Sequence, residues 1–299
     1  MKKVRSGIAV AAATMVVAGG GFLLGPQMAG AQSNQGGDPS PSATASATAS
    51  PTASPTTSPT ASPTESPTEP GDDTAADRHN WGTPLPGSDE FNYTGGPDRE
   101  KWGVYGDGGT DNCWPGHAGN GRRCADANHV ADGFLRQTGE ANGDSAGIAS
   151  KVDLKYGRWE VRARMSAEPG ASGNPYHPVL ITWPQSNQWP EGAEYDFLEV
   201  NIGDDCAGAF LHYPNHEPKR QEHAEKCPTD LTQWHNYGFE WTEGGLVGYI
   251  DGVEWFRFDS DCIQCAPGPM HQTIQLDNFF GSGMQQAYLD VDWSRVYQV

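Results

Sequence analysis

From residue 80 to the C-terminus the apolar positions fall in short runs between turn residues, and their spacing is that of strands. In Arg158-Trp159-Glu160-Val161-Arg162-Ala163-Arg164-Met165 polar and apolar residues alternate, as in a strand with one buried face. Residues 178–183 form a continuous apolar run, and 207–213, 236–241 and 272–279 are similar short segments. Residues 246–250 and 253–258 flank Asp251-Gly252, a pair suited to the two-residue type I′ hairpin turn. Val291, Trp293, Val296 and Tyr297 mark a closing strand. No stretch has the period of an amphipathic helix. The pattern predicts an all-β chain folded as a two-sheet β-jelly-roll sandwich.

Ahead of this region the sequence changes character twice. Lys2, Lys3 and Arg5 precede an apolar stretch over 7–24, and Ala29-Gly30-Ala31 is a small-residue cleavage site. Residues 1–31 therefore read as a secretory signal peptide cut after Ala31, and the protein is expected to be secreted. The apolar stretch is near the length needed to span a bilayer, but glycines interrupt it and the cleavage site follows. Residues 32–75 are rich in Ser, Pro, Thr and Ala, with almost nothing to bury, and are read as a disordered, extended linker. Residues 76–299 are the expected catalytic domain, about the size of one β-sandwich.

The net charge is −19, from 19 Lys+Arg and 38 Asp+Glu. Three bases before residue 32 and three acids over 32–70 cancel, so residues 71–299 carry the whole charge. Such a domain repels polyanions, which argues against nucleic acid, an anionic membrane or a highly sulfated substrate. The six cysteines fall in three short intervals, 113/124, 206/227 and 262/265, and local disulfides are expected in each. Cys262 and Cys265 have the C-x-x-C spacing, but a zinc site needs a second such pair and none exists.

The chemistry concentrates in Glu194-Tyr195-Asp196-Phe197-Leu198-Glu199. On a regular strand Glu194 and Asp196 share a face, while Glu199 falls on the opposite face with Tyr195 and Phe197. A lone carboxylate driven into the core is very costly. One extra residue near Phe197-Leu198, a β-bulge, returns Glu199 to the face of the other acids. Three acids in a row can be a solvated acidic strand or a calcium site. Tyr176, Trp183 and Trp189 nearby are more aromatic surface than a solvated strand requires, and paired carboxyls are what glycoside hydrolysis uses.

The segment resembles the bulged E-x-D-x-x-E motif of glycoside hydrolase family 16. Five further segments resemble that family in order: Asp89-Glu90-Phe91-Asn92, residues 156–164, Trp234-His235-Asn236-Tyr237, Glu240-Trp241-Thr242 with the hairpin over 249–252, and residues 290–297. The resemblance covers nearly all of 88–299. It implies a cleft on a concave sheet and endo-acting, retaining hydrolysis of a β-linked polysaccharide. It assigns Glu194 as nucleophile, Asp196 as the assisting carboxyl and Glu199 as acid/base. It assigns Trp183 and Trp189 to sugar stacking and His212 to the cleft, although each could equally serve packing. Trp114, in the Gly-rich stretch 106–124, is expected to line one cleft wall. Asp292 matches part of a structural calcium site in some members, but one carboxylate is far short of six to eight oxygens. No metal or cofactor is therefore expected.

The motif departs from the family at Ala193, where Gly is frequent, and at Tyr195 and Phe197, which are bulkier than usual. The family includes enzymes on laminarin-type and mixed-linkage glucans, agars, carrageenans and xyloglucan. The acidic domain favours neutral β-1,3- or β-1,3/1,4-glucan, with a galactan as the alternative. A carbohydrate-binding, lectin-like module would need the aromatics but gains nothing from three adjacent acids. A cell-wall structural protein explains neither. The chain is expected to act as a monomer.

Overall fold

The computed structural model describes residues 73–213, 221–258 and 266–299. The first strands are β1 (Trp102–Val104), β2 (Cys113–Pro115), β3 (Arg122–Cys124), β4 (Asn128–Ala131), β5 (Phe134–Gly139) and β6 (Asp144–Ser150). Next come β7 (Gly157–Ala167), β8 (His177–Pro184), β9 (Glu194–Glu199), β10 (Ala207–His212) and β11 (Gln221–Lys226). The last are β12 (His235–Thr242), β13 (Gly245–Ile250), β14 (Val253–Phe258), β15 (Met270–Asp277) and β16 (Ala287–Tyr297). They form two sheets. One runs β14-β13-β12-β7-β16-β5-β4, and the other β11-β10-β9-β8-β15-β6-β3-β2 with β1 also on β6. Neighbours are antiparallel except for β3 against β6. The jelly-roll sandwich expected from the sequence is the fold found, and its only described α-helix is α1, Ala75–Arg78.

The core lies between the sheets. Trp159, Tyr237, Phe239 and Trp241 of one sheet meet Leu180, Tyr195, Phe197, Leu198 and Ile274 of the other, all essentially inaccessible. Phe197 and Phe239 stack across the interface, 5.5 Å apart and 6° from parallel. Tyr195 meets Trp241 edge-on at 5.5 Å. The bulk of Tyr195 and Phe197 thus fills the space between the sheets.

The alternation of β7 holds, with Trp159, Val161, Ala163 and Met165 inward, but one polar position behaves differently. Glu160 is 0% exposed because the N-terminal segment covers it. Its Oε1 accepts from the backbone N–H of Ala75 at 2.6 Å and its Oε2 from that of Ala76 at 3.2 Å. The cross-strand partner Gly238 makes room, since a Cβ there would lie 2.9 Å from that of Ala75. Ala75, Ala76 and Trp81 close a small outer core with Val247, Tyr249 and Tyr297. Among the described residues the buried positions start at Thr74, which is 1% exposed.

Burial lifts the Glu160 carboxyl from 4.5 to about 7, against the two backbone hydrogen bonds. Between those values the folded chain holds a proton that the unfolded chain releases, so stability is greatest at the acid end and lost as pH rises towards 7. The span corresponds to a loss on the order of 3 kcal/mol. Thermal unfolding from pH 5 to pH 8 should show this decline in the wild type and a flatter profile in Glu160→Gln. Equal slopes would remove Glu160 as the source.

Disulfides join Cys113 to Cys124 and Cys206 to Cys227, as the intervals suggested. The first ties β2 to β3, where the two cysteines are cross-strand partners. The second clamps the base of the β10–β11 hairpin. Cys262 and Cys265 lie outside the described residues.

Candidate active site

The register of β9 contains the bulge that the burial argument demands. Leu198 faces Leu180 and Asp196 faces Ile181, so Phe197 is the extra residue. Glu199 then pairs with Val179, on the same side as Asp196 and Ile181. On the other flank Asp196 faces Phe210 and Glu194 faces His212. All three acids therefore stand on the sheet face turned away from the core, while Tyr195, Phe197 and Leu198 pack inward. Ala193, just before the strand, has φ 63, a left-handed conformation that glycine adopts at less cost, which accounts for the frequent glycine there.

Asp196 sits between the glutamates, 3% exposed. Neither of its oxygens has a hydrogen-bond partner, although His212 Nε2 lies 3.2 Å from Oδ2 in an unfavourable direction. Burial, and then the charge of Glu199, push this carboxyl well above the usual carboxylate range. Burial and the neighbouring Asp196 do the same to Glu194, against the charge of His212 and a hydrogen bond with Trp189. Atoms of Glu194, Asp196 and His212 lie within 4.8 Å of one another. Carboxyls so crowded and so dry cannot all ionise, and the cluster holds on to a proton. Glu199 has a different partner: His177 Nε2 is 2.8 Å from its Oε1.

Trp183 and Trp189 stand beside this row, and Trp114 lies on the same sheet. Trp183 lies two residues beyond Ile181 on the same face, with Nε1 donating to Asn187 Oδ1 at 3.0 Å. Trp189 is 49% exposed, its ring 6.2 Å from that of His212. Trp114, on β2, is exposed beside Tyr105 at 6.0 Å. Tyr105 in turn covers the outer face of β6 at Gly147, where a Cβ would lie 2.3 Å from its ring. The disulfide-linked β2–β3 hairpin thus extends the sheet that carries the acids. Asp292 is elsewhere, an inserted residue of β16 on the opposite sheet, with its Oδ2 3.1 Å from Arg162 Nε. It is held in an ion pair with Arg162.

Several residues of this face were not singled out from the sequence. Asp277, the partner of His177 across β15, binds Arg123 of β3 at 2.5 Å. Phe279 stacks on His177 at 4.1 Å and meets His117 at 4.4 Å. For His177 a signal was present: the parity that puts Trp183 on the cleft side puts Ile181, Val179 and His177 there too. The Arg123–Asp277 pair joins positions 154 residues apart and left none.

Residues 125–295 match the family model described as Glycosyl hydrolases family 16. A beta-glucanase of Rhodothermus marinus is 30% identical over 250 residues, 71% of this chain and 84% of that protein. The laminarinase structure from Rhodothermus marinus is 26% identical with a TM-score of 0.55, covering 71% of this chain and 95% of that one. A non-specific endo-beta-1,3(4)-glucanase of family 16, co-crystallized with 1,3-beta-D-cellotriosyl-glucose, is 23% identical with a TM-score of 0.59, covering 71% and 93%. Fold and site define a glycoside hydrolase. The chain belongs to family 16 of the glycosyl hydrolases.

Proposed function

We propose that this protein is a secreted, retaining endo-β-glucanase acting on β-1,3- or mixed β-1,3/1,4-glucan. The observation that carries the reading is the bulge at Phe197, which aligns Glu194, Asp196 and Glu199 on one open sheet face. In a retaining mechanism one carboxylate attacks the anomeric carbon while a second carboxyl protonates the departing oxygen. Glu194 is the nucleophile. Glu199 is the acid of the first step and the base that activates water in the second. Asp196, dry and between them, keeps a proton that it donates to stabilise charge on Glu194 as the glycosyl bond forms and breaks. Trp183, Trp189 and Trp114 offer ring faces to sugar C–H groups, and His212 borders the nucleophile.

The substrate rests on the named activities of the beta-glucanase and laminarinase relatives and on the −19 charge, which disfavours sulfated chains. Export rests on the leader over residues 1–31. The mature protein incubated with laminarin, mixed-linkage glucan, agarose and carrageenan should release reducing ends from the two glucans, with a fast viscosity drop marking internal cuts. Cleavage of galactans alone would overturn the substrate while leaving the mechanism. Retention of glycans without cleavage would make the protein a binding module.

A further inference from the structure

We infer that His177 is a positioning residue that holds Oε1 of Glu199 from behind and leaves Oε2 as the oxygen that exchanges protons with substrate and water. The inference rests on the reading of Glu199 as the acid/base.

The geometry is a chain of fixed contacts. His177 Nε2 lies 2.8 Å from Glu199 Oε1, and its Nδ1 lies 3.1 Å from Asn201 Oδ1. The amide of Asn201 cannot turn freely, because its Nδ2 donates to Asp204 Oδ2 at 3.2 Å while its backbone N–H donates to the same oxygen at 2.9 Å. Its carbonyl oxygen therefore faces the imidazole, and Nδ1 must carry hydrogen. Phe279 covers one ring face at 4.1 Å, and the side chain is 11% exposed. With Nδ1 committed, a neutral ring points a lone pair at Oε1 and a charged ring points a hydrogen at it. Only the charged ring allows Glu199 to carry its own proton on Oε2 while Oε1 accepts from behind.

The surroundings favour that charge. Burial opposes it, but the hydrogen bond and charge of Glu199 prevail, and the imidazole is held above its ordinary range. The other charged or titratable groups facing it are Asp277, already bound to Arg123, and His117 beyond Phe279, which burial keeps neutral. Asp196 lies behind Glu199 on β9. An imidazolium at Oε1 makes the proton on Oε2 easier to give to a poor leaving group.

The test uses the full chain and three variants: His177→Phe, His177→Gln and Glu199→Ala. His177→Phe should lose about 10- to 100-fold in kcat on polysaccharide, with far less effect on the glycosylation step for an aryl glycoside whose leaving group needs no proton. Its alkaline limb of kcat/KM should move to higher pH, since the charged imidazole beside Oε1 is gone. His177→Gln keeps a neutral donor for Oε1. It should recover much of the kcat and still show the displaced limb. Circular dichroism and melting curves confirm that each variant is folded. Folded His177→Phe with an unmoved limb and equal losses on both substrates would overturn the inference. Normal polysaccharide hydrolysis by Glu199→Ala would instead overturn the acid/base reading beneath it.

Discussion

Glu194→Ala should abolish turnover of every glycoside, polysaccharide and activated aryl substrate alike, by roughly 10^4-fold or more. A nucleophile is required in both half-reactions, so no leaving group compensates for its absence. The side chain is seated for the task by its cross-strand pairing with His212 on β10 and by the left-handed backbone of Ala193 before it. Its proton leaves reluctantly, since burial and Asp196 both raise the carboxyl. The acid limb of kcat/KM in the wild type should therefore stand above that of an ordinary glutamate. Active-site titration and reducing-end assays on the purified variant check the first expectation. Near-normal hydrolysis would remove Glu194 from the nucleophile's role.

The sandwich and the three acids were legible because both follow from local rules. Alternation at period two names the strands, and the cost of a lone carboxylate in the core forces the bulge from the sequence alone. Legibility fails where the outcome depends on a distant segment. Glu160 alternates with Trp159 and Val161 as a solvent-facing residue should, and only the arrival of Ala75 and Ala76, over 80 positions earlier, buries it. Trp114 reaches the sheet of the acids because β3 pairs with β6 in parallel, a long-range pairing with no local signal. His177 is an intermediate case. Strand parity placed it, yet a single histidine says nothing about its partner until β8 and β9 are in register.

Glu199→Ala should separate the two halves of the reaction. Polysaccharide has a poor leaving group, and loss of the general acid should cost about 10^2- to 10^4-fold there. An aryl glycoside with a good leaving group departs without protonation, so Glu194 should still be glycosylated at a substantial rate. The intermediate then waits, because no base remains to activate water. Azide is small, anionic and already nucleophilic, and fits the space left by the deleted side chain. It should restore turnover and release a glycosyl azide. Two successive inversions return the anomeric carbon to its starting configuration, so the product is the β-anomer. On the same substrate Glu194→Ala should yield only the α-azide, because azide in the space left by the nucleophile attacks the anomeric carbon directly with a single inversion. Isolation of the α-azide from Glu199→Ala would mean that azide attacks the substrate directly in a single displacement. In that event Glu194 and Glu199 would have to exchange the roles assigned to them.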